Sequence, residues 1–451
     1  MNPHIFREYD IRGLAEKDFD EDFARLLGKV HGTTISDKGG SRVAVGRDCR
    51  LTSDLYAEAV IDGLLSAGLQ VYDLGVCPSP LLYFSLFHLD LDGGVQITAS
   101  HNPSEYNGFK LCLGKDTLYG SQIQETRTEM EGSKFRERSG GKRQSYAIIP
   151  PYQEHLLRDI KALVRPLKVV IDAGSGVAGP VAPPIARRLG CAVWEIACIM
   201  DGTFPIHHPD PTDPENLEDL IRKVKEEKAD LGIAYDGDGD RIGVVDERGN
   251  ILWGDELLIL FSRDVLKSYP GGVVISEVKC SQNLFDQISQ HGGVPIMWKA
   301  GHSLLKAKMK ETHAILAGEM SGHMFFADRY FGYDDAIYAS MRLLELLART
   351  NQPLSALLAD LPQLASTPEI RVDCPDEKKF DIAERAKDYF RRHYDTIDVD
   401  GVRVQFPEGW GLIRASNTQP ALVLRFEAKT PAKLKEYRGI IEKKLKELQK
   451  S

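Results

Sequence analysis

Hydrophobic positions along the chain repeat one pattern three times: an apolar strand, a loop, an amphipathic helix, a glycine and a second apolar strand. Glycine after the last helical turn is a typical C-cap, and this spacing predicts βαβ units with parallel strands. We therefore predict three related α/β domains. The copies are strands 43–45 and 71–74 with helix 57–67, strands 169–171 and 192–196 with helix 181–189, and strands 273–275 and 294–298 with helix 283–291.

The pattern changes after about residue 368, where short strands surround a helix predicted at 376–394. A last helix begins with Thr430 as its N-cap and Pro431 as its first residue, and its apolar side chains share one face. This segment predicts a fourth, smaller α+β domain with strands at 369–372, 401–405, 411–415 and 421–427. The predicted domains are 1–150, 151–253, 254–367 and 368–451.

The 451 residues are too many for one hydrophobic core, and 42% hydrophobic with 27% charged residues is typical of a soluble globular protein. The chain contains no apolar run near the ~20 residues of a membrane span, and its start lacks the order of a signal peptide. A net charge of -9 without a basic block disfavours nucleic acid. The seven cysteines form no C-x-x-C pair. We expect a cytoplasmic protein without membrane or nucleic-acid partners.

The first candidate site is the string Thr-Ala-Ser-His-Asn-Pro at 98–103, which follows an apolar run. Small polar residues with Asn-Pro predict a tight loop at the end of a strand. Ser100 would be exposed there, as a nucleophile must be, with His101 and Lys110 supplying protons or positive charge. An ordinary polar turn explains this segment equally well when it is taken alone.

The second candidate site is Asp-Gly-Asp-Gly-Asp-Arg at 236–241. Three alternate carboxylates repel one another unless they hold a cation, and hard ions such as Mg²⁺ prefer oxygen ligands. Counted from Asp236, Glu247 stands twelfth and imitates a calcium EF-hand, but Arg241 replaces the glycine of position six and the flanks are predicted strands. We therefore prefer a magnesium loop made of Asp236, Asp238 and Asp240.

A glycine-rich string at 174–179 matches G-x-G-x-x-G after a strand, and Glu195 follows at the distance of a ribose contact. This string is the evidence for an alternative function, an NAD-dependent oxidoreductase. Three prolines crowd the start of the next helix, and the alternative leaves the aspartate loop unexplained. We prefer a structural glycine turn.

Two further loops carry polar side chains suited to a phosphorylated sugar. Gly-Glu-Met-Ser-Gly-His at 318–323 offers a carboxylate, a hydroxyl and an imidazole for hydrogen bonds to a polyol. Arg-Ala-Ser-Asn-Thr at 414–418, with Arg425 on the next strand, offers a guanidinium and several small donors for a phosphate. Taken by itself, the loop at 318–323 would more often be a surface turn, and the loop at 414–418 is equally explained as a capped turn.

These segments occur in the order nucleophile, metal, sugar and phosphate. From Phe-Arg-Glu-Tyr-Asp-Ile-Arg-Gly at 6–13 to the Arg414 loop, the chain resembles the α-D-phosphohexomutase superfamily, and within it the bacterial phosphomannomutase/phosphoglucomutase group. The resemblance implies four domains around a central cleft, three α/β domains with mixed, largely parallel sheets and a smaller α+β domain. It also implies one Mg²⁺ per chain and a phosphosugar substrate.

The resemblance assigns roles to individual residues. It implies that Ser100 carries the phosphoryl group and binds Mg²⁺ together with the three aspartates, and that Arg241 contacts the phosphoserine. It implies that the catalytic residues are Ser100, His101, Lys110, Arg12 and His323. The implied substrate contacts are Tyr9, Lys279, His302, Glu319, Met320, Ser321, Gly322, His323, Arg414, Ala415, Ser416, Asn417, Thr418 and Arg425.

The implied reaction converts a hexose 1-phosphate into the 6-phosphate, with mannose, glucose or both as the sugar. A glucose or mannose 1,6-bisphosphate is the implied intermediate and activator. Lys110 is our first choice of general base, provided that nearby positive charge lowers its pKa, with His323 and His101 as alternatives. A phosphoglucosamine mutase is the alternative within the superfamily, although such enzymes usually have glutamine in place of Met320. The preferred sugar and the oligomeric state, monomer or weak dimer, stay open.

Overall fold

The computed structural model describes residues 1–417 and 419–450, with the side chain of residue 450 left aside. The strands form four sheets, and each sheet uses one consecutive segment of the chain. Short 3₁₀ turns lie at Pro3–Ile5, Pro214–Leu217 and Leu354–Ala356. Within the described ranges, no helix is long and apolar enough to cross a membrane.

Domain I is a seven-stranded mixed sheet with helices packed on it. Its strands are β1 (Ile11–Leu14), β2 (Arg42–Arg47), β3 (Gln70–Val76), β4 (Gly93–Ile97), β5 (Tyr106–Leu113), β6 (Asp116–Thr117) and β7 (Lys142–Ser145). Its helices are α1 (Glu21–Asp37), α2 (Ser53–Ser66), α3 (Ser79–His88) and α4 (Ser121–Glu131). The order is β1-β5-β4-β2-β3-β7, and β2 pairs in parallel with β3 and β4. The loops after β2 and β4 therefore lie side by side.

Domain II begins with α5 (Ile149–Asp159) and has a five-stranded sheet. Its strands are β8 (Lys168–Asp172), β9 (Ala192–Ile196), β10 (Leu231–Tyr235), β11 (Ile242–Asp246) and β12 (Ile251–Leu252), and its other helices are α6 (Ala182–Arg188) and α7 (Glu218–Glu227). The order is β12-β11-β10-β8-β9. Because β10 and β11 pair antiparallel, the aspartate segment between them is a hairpin loop.

Domain III has a four-stranded sheet in which one edge strand is antiparallel. Its strands are β13 (Val273–Glu277), β14 (Val294–Trp298), β15 (Leu316–Gly318) and β16 (Met324–Phe326), and its helices are α8 (Gly254–Ser268), α9 (Gln282–Gln290), α10 (His302–Thr312) and α11 (Ala336–Ala348). The order is β14-β13-β15-β16. The predicted sugar loop joins β15 to β16.

Domain IV is an antiparallel six-stranded sheet covered by two helices. Its strands are β17 (Ala365–Ser366), β18 (Ile370–Asp373), β19 (Thr396–Ile397), β20 (Val402–Phe406), β21 (Gly409–Ala415) and β22 (Ala421–Ala428), and its helices are α12 (Asp376–Arg391) and α13 (Pro431–Lys450). The order is β17-β22-β21-β20-β19, with β18 also beside β22. The predicted cap of the last helix is present, because the Lys433 amide donates to the Thr430 hydroxyl at 3.2 Å.

The three predicted βαβ units are present, and the predicted fold class is confirmed. In each unit the two strands pair in parallel, as β2 with β3, β8 with β9, and β13 with β14. Gly68, Gly190 and Gly292 follow the three helices with φ of +84°, +101° and +76°. Only glycine adopts this backbone region without strain, so the repeated glycine marks where each helix must end. The domain boundaries stay predictions.

One continuous buried core joins the first three domains, whereas domain IV has a core of its own. The larger cluster includes Leu81 of domain I, Ile171 of domain II and Leu343 of domain III. The apolar residues between the sheet and helices of domain IV form a separate cluster. Domains III and IV share a small apolar contact of Val278, Trp410 and Leu412. Domains I to III therefore form one frame, to which domain IV attaches by fewer apolar contacts.

Gly190→Ala tests the role of the positive φ at the repeated glycine. A Cβ there meets nothing within 4 Å, so backbone strain alone should lower stability, by about 1 kcal/mol. Gly439→Ala is the matched control, because its Cβ also meets nothing within 4 Å but Gly439 lies inside helix α13. Alanine should stabilise that helix by about 0.8 kcal/mol. The midpoint of urea denaturation should fall for Gly190→Ala and rise for Gly439→Ala. A higher midpoint for Gly190→Ala would contradict its assignment as a C-cap glycine.

Candidate active site

The predicted site residues lie on loops at strand ends, and the fold brings these loops together. The Ser100 loop follows β4, the aspartate loop joins β10 to β11, and the loop at 319–323 joins β15 to β16. The Arg414 loop follows β21. Hydrogen bonds of their side chains join the four domains, between Ser100 and Asp236, Arg241 and His323, and Tyr9 and Asn417.

Ser100 lies on a strained turn and points at the aspartate loop of domain II. Its φ is +51°, a region that non-glycine residues seldom adopt, and its amide donates to the Thr98 hydroxyl at 2.9 Å. Its Oγ donates to Asp236 Oδ2 at 2.6 Å. The prediction that Ser100 is exposed is wrong, because only 2% of the residue is accessible. The domain II loop covers the serine in this arrangement.

Arg50 holds the serine loop in shape, and the sequence analysis missed it. Its guanidinium donates to four backbone carbonyls of that loop, at distances from 2.5 to 3.0 Å, those of Ser100, Asn102, Pro103 and Tyr106. Asp48 accepts from Arg50 Nε at 3.0 Å and so fixes the guanidinium. The charged string that follows β2, the strand beside β4, is the sequence signal that points to this role.

The three aspartates form a cavity for a cation. Each has 0% of its surface exposed, and ligand atoms of the three lie within 4.8 Å of one another. Backbone amides of Asp240 and Arg241 donate to Asp236 Oδ1 at 3.0 and 3.1 Å, which curls the loop. One oxygen of Asp238 and one of Asp240 are buried without a hydrogen-bond partner. Burial, then the two neighbouring carboxylates, raises the pKa of Asp236 well above its ordinary value, so this donor set fits a divalent cation.

Lys110 already offsets part of this negative charge. Its Nζ lies 2.6 Å from Asp238 Oδ2 and 2.6 Å from Asp240 Oδ2. Burial works to lower the pKa of Lys110, but the two aspartates outweigh it, and the net pKa is raised. The condition set for Lys110 as general base, a pKa lowered by nearby positive charge, is therefore not met. In this arrangement Lys110 is an ammonium ion that offsets charge, and it has no free lone pair for a general base.

His101 and Arg12 flank the serine loop from domain I. His101 Nδ1 lies 3.2 Å from Ser100 Oγ. Burial, then Arg241 and Arg12, lowers the pKa of His101 well below its ordinary value, so the imidazole is neutral and able to accept a proton. Arg12 donates from Nη1 to Asn102 Oδ1 at 2.7 Å and also pairs with Asp10. Both predicted residues therefore contact Ser100 or its loop.

His323 lies between the sugar loop and the aspartates. Arg241 Nε donates to His323 Nε2 at 3.0 Å, which leaves the proton of the neutral ring on Nδ1. That Nδ1 lies 3.3 Å from Asp334 Oδ2, and His302 Nδ1 lies 3.2 Å from the same oxygen. The two imidazoles stack with their centroids 5.2 Å apart. The sequence analysis missed Asp334, which contacts both rings from a position outside any motif.

Tyr9 and Asp400 tie the phosphate loop of domain IV to domains I and III. The Tyr9 hydroxyl accepts from Asn417 Nδ2 at 2.7 Å and donates to the Ala300 carbonyl at 2.7 Å. Burial is the main cause that raises the pKa of Tyr9, so its hydroxyl keeps the proton. Asp400 Oδ2 accepts from Arg414 Nε at 2.9 Å and from the Ala300 amide at 3.0 Å. The sequence analysis did not single out Asp400.

The sugar loop is a tight turn that packs on the aspartate hairpin. The Gly322 amide donates to the Glu319 carbonyl at 3.0 Å, and the Glu319 amide donates to the His323 carbonyl at 3.0 Å. A Cβ on Gly322, whose φ is +91°, would lie 2.3 Å from the Ile242 carbonyl oxygen, so only glycine fits this contact. Glu319 Oε1 accepts from the Gly301 amide at 2.7 Å. Ser321 is half-buried at the tip of the turn.

Of the predicted phosphate contacts, Arg414 bonds to Asp400 and Asn417 bonds to Tyr9, whereas Arg425 lies away from the phosphate loop. Ala415 ends β21, and the Ser416 hydroxyl accepts from the Gln419 amide at 3.1 Å. Thr418 lies outside the described residues. Arg425 is directed at domain III, where it donates to the Lys279 carbonyl and contacts Met320. Lys279 Nζ pairs with Glu369 at 3.0 Å.

Amides of the glycine string at 174–179 already donate hydrogen bonds within the protein. The amides of Ser175, Gly176 and Val177 donate to backbone carbonyls within the protein. A Cβ on Gly176 would lie 2.6 Å from the Gly237 carbonyl oxygen, so this glycine permits the turn to pack on the aspartate loop. The structural interpretation explains the string without a cofactor. The strands on both sides of the aspartate loop likewise exclude an EF-hand.

Sequence comparison relates the whole chain to known proteins. Residues 3–137, 150–249, 253–365 and 369–444 match, in order, the descriptions Phosphoglucomutase/phosphomannomutase alpha/beta/alpha domains I, II and III and Phosphoglucomutase/phosphomannomutase C-terminal domain. A Pseudomonas putida protein named Phosphomannomutase/phosphoglucomutase is 47% identical over 444 residues, which are 98% of this chain and 95% of the relative. A Neisseria meningitidis protein named Phosphoglucomutase is 44% identical over 449 residues, 97% of this chain and 96% of the relative.

Structural comparison gives the same result. The crystal structure of a phosphoglucomutase/phosphomannomutase family protein from Burkholderia thailandensis superposes with a TM-score of 0.92 at 44% sequence identity. The match covers 99% of this chain and 98% of the crystallised chain. The order and packing of all four domains are therefore shared with that protein.

Lys110→Met tests whether the aspartate cavity needs compensating positive charge. The change leaves two buried carboxylates without their partner, and breaking a buried ion pair on one side costs about 3–5 kcal/mol. We expect a lower thermal unfolding midpoint, and a larger gain on adding a divalent cation than the unmodified protein shows. Lys310→Met, which removes an exposed pair with Asp116, is the control and should cost less than about 1 kcal/mol. If the cation raised the unfolding midpoint equally in Lys110→Met and in the unmodified protein, Lys110 would not be the compensating charge of the aspartates.

Proposed function

The chain belongs to the phosphoglucomutase/phosphomannomutase family and is a phosphohexomutase, and from this premise we propose that it interconverts the 1- and 6-phosphates of mannose and glucose through a phosphorylated Ser100. One observation carries the proposal. The Ser100 hydroxyl of domain I donates at 2.6 Å to one of three fully buried aspartates of domain II. A nucleophile beside a cation cavity is the arrangement that phosphoryl transfer requires.

Mg²⁺ is the ion we propose for the aspartate cavity. Asp236, Asp238 and Asp240 offer only oxygen atoms, and two of these oxygens are buried without a partner. Mg²⁺ binds hard oxygen donors and phosphate in preference to nitrogen and sulfur ligands, whereas softer metals prefer the latter. The bound ion would supply charge stabilisation to the phosphoryl oxygens next to Ser100. The Lys110 ammonium, bonded to Asp238 and Asp240, and the Arg241 guanidinium next to them in the chain would share that work.

His101 is placed to exchange the proton of the serine. Its Nδ1 lies 3.2 Å from Ser100 Oγ, and its lowered pKa keeps a lone pair available. When Ser100 takes a phosphoryl group from the bisphosphate, His101 would accept the proton of the serine hydroxyl, and it would return that proton to the serine oxygen when the phosphoryl group leaves for a sugar hydroxyl. The His101 imidazole and the Asp236 carboxylate both contact Ser100 Oγ. Arg12 holds the loop through Asn102 and adds positive charge at this end of the cleft.

We propose His323 as the general base for the sugar hydroxyl. It lies on the sugar loop, and its Nε2 lone pair accepts from Arg241 at 3.0 Å. When Arg241 turns to a phosphorylated Ser100, this lone pair becomes free to accept the hydroxyl proton. Asp334, which lies 3.3 Å from Nδ1, would then stabilise the imidazolium. Lys110 does not suit this role because two aspartates hold its proton.

The phosphate that does not react is held, in this proposal, by domain IV together with Lys279. Arg414 and the Ser416–Asn417 turn provide a guanidinium, a hydroxyl and amide donors. Lys279 pairs with Glu369 at 3.0 Å, and a phosphate dianion would compete with that carboxylate for the ammonium. The predicted contacts His302 and Tyr9 lie at the join of this region with the sugar loop, their rings 5.5 Å apart.

Recognition has to work in two orientations of the sugar. The 1,6-bisphosphate intermediate must turn around so that its other phosphate faces Ser100. We propose that Glu319 and Ser321 read the 3- and 4-hydroxyls, which approximately exchange places in that turn, and make no demand at carbon 2. Mannose and glucose differ only there, so both would be substrates. Met320 in this loop favours these sugars over glucosamine.

The separate core of domain IV favours closure over the bound substrate. Closing would exclude water from the phosphoserine, which would otherwise hydrolyse. All seven cysteines are free thiols, in agreement with a reducing cytoplasm. We keep the proposal of a monomer or weak dimer.

Ser100→Ala tests the phosphoserine. We expect turnover of mannose 1-phosphate and glucose 1-phosphate to fall by at least about 10³-fold with the fold intact, because no oxygen remains to carry the phosphoryl group. The assay follows the 6-phosphates with Mg²⁺ and a trace of glucose 1,6-bisphosphate. Ser104→Ala, in the exposed part of the same loop, is the matched control and should keep full activity.

Mass spectrometry after incubation with the bisphosphate should place one phosphate on Ser100. Phosphate release without isomerisation would indicate a phosphatase and contradict the mutase. Activity of Ser100→Ala equal to that of Ser104→Ala would contradict the phosphoserine itself.

His323→Gln tests the general base. Glutamine fills similar space but cannot take the proton, so kcat should fall by about 10²–10⁴-fold. After incubation with the bisphosphate, the His323→Gln variant should carry the same added mass of one phosphate as the unmodified protein. His393→Gln, in an exposed position of domain IV, is the control. A larger loss in His101→Gln than in His323→Gln would move the base assignment to His101.

A further inference from the structure

Two arginines of domain IV reach across the domain boundary and bind one short loop of domain III. The loop at 278–281 connects β13 to α9. Its three successive carbonyl groups, those of Val278, Lys279 and Cys280, all accept hydrogen bonds from these arginines. Among the residues that the structure describes, no other part of domain III has three successive carbonyl groups that accept hydrogen bonds from domain IV.

Arg403, on β20, is the more deeply buried of the two. Its exposed fraction is 0%, and Nη1 donates to the carbonyls of Val278 and Cys280, each at 2.8 Å. Nη2 donates to Gln282 Oε1 at 3.2 Å. The guanidinium lies over the Trp410 ring, 3.7 Å from its centroid. Its partners in these bonds are neutral oxygens, so its charge is buried without a carboxylate hydrogen bond.

Arg425, on β22, completes the set from the neighbouring side. Its Nη1 donates to the Lys279 carbonyl, lies 3.4 Å from Asp255 Oδ2 and contacts Met320 of the sugar loop. Arg425 therefore contacts, from domain IV, both the Lys279 loop and the sugar loop. All of these contacts are with domain III, so the Arg425 guanidinium lies away from the phosphate loop that follows Arg414.

A carboxylate of domain IV anchors the far end of the same loop. Glu427 Oε1 accepts from the Gln282 amide at 2.9 Å, at the first residue of α9, and from Trp410 Nε1 at 2.8 Å. The charge suits the positive N-terminal end of that helix. Side chains from domain IV thus bind the loop along its whole length.

Burying a guanidinium against carbonyl groups is costly, and surface or apolar residues would hold two domains together at lower cost. What the arrangement gains is geometry, because a planar guanidinium with fixed donors restricts both the distance and the angle of the loop. Lys279 lies at the centre of the restricted segment. The side chain of Glu277 also joins this segment to the sugar loop, since its Oε1 lies 3.4 Å from the Met320 amide and accepts from it.

We infer that Arg403 and Arg425 are positioning residues that hold the Lys279 loop in fixed register with domain IV. Lys279 and Arg414 then meet the substrate phosphate as one unit, although they belong to different domains. This inference rests on the proposed function, which makes Lys279 a substrate contact. It also assigns Arg425 to positioning in place of direct phosphate binding.

A consequence concerns the closing of domain IV. Domains I to III share one core, whereas domain IV joins domain III through a small apolar contact next to these arginines. A rotation of domain IV that keeps the arginine bonds must pivot near this loop. Closing would then move the Arg414 loop toward the sugar while the carbonyl groups of the Lys279 loop stay bonded to domain IV.

Steady-state kinetics of Arg403→Met, Lys279→Met and the double variant test the inference. Arg403→Met should raise KM for glucose 1-phosphate by about tenfold and change kcat by less than about threefold, because the loop loses its register while the reacting groups stay in place. In the Lys279→Met background the same change should alter KM by less than about twofold, since the two residues act through one contact. Arg403→Lys, which keeps the charge and some carbonyl bonds, should recover part of the loss.

Arg438→Met is the matched control, because Arg438 pairs with Glu442 on the outside of α13 and is 45% exposed. It should leave both constants unchanged. Unchanged KM in Arg403→Met, or an equal increase with and without Lys279, would overturn the inference. Inactive unmodified protein would instead refute the proposed function.

Hydrogen exchange gives a readout that does not depend on activity. Amides at 278–282 should exchange at least about tenfold faster in Arg403→Lys than in the unmodified protein, with the rest of domain III unchanged. If Arg403→Met does not fold, this measurement on Arg403→Lys decides the question. Unchanged exchange at 278–282 would overturn the inference.

Discussion

The mutual repulsion of three buried carboxylates is the constraint on which the rest of this structure depends. Asp236, Asp238 and Asp240 are fully buried on one hairpin loop, where their charges lie in a medium of low dielectric. Positive charge must come from elsewhere, and it comes from the Lys110 ammonium of domain I and, in the proposed function, from a bound cation. The nucleophile is drawn in by the same charge, because Ser100 donates to Asp236. The first two domains therefore cannot separate without exposing an unbalanced site.

The rest of the site divides between a fixed part and a movable part. The nucleophile, the aspartates and the sugar loop belong to the three domains that share one core, so their geometry is set before substrate arrives. The phosphate loop belongs to domain IV, which has its own core and joins the frame through polar contacts such as Tyr9 with Asn417. Polar contacts exchange with ligand more readily than apolar ones, and this suits an enzyme whose intermediate must turn around inside the closed cleft.

Charge also decides how protons are handled. A lysine beside positive groups would lose its proton and act as a base, but Lys110 lies between two aspartates and keeps it. In the proposed mechanism, proton exchange passes to imidazoles at the edge of the carboxylate cluster, where His101 contacts the serine and His323 contacts Arg241. The centre of the cluster would then stabilise charge, while the imidazoles around it would accept protons.

The sequence by itself determined the βαβ units, the glycine at each helix end and the capped last helix, because these depend on the period of apolar side chains and on local backbone preference. Motifs within a few residues, such as the aspartate loop, were found for the same reason. Only the tertiary structure decided that Ser100 is covered by domain II, that Lys110 keeps its proton, that Arg50 and Asp334 support the site, and that Arg425 is directed at domain III. Each of these properties depends on a partner far away in the chain, and packing between domains, which no local pattern records, selects that partner.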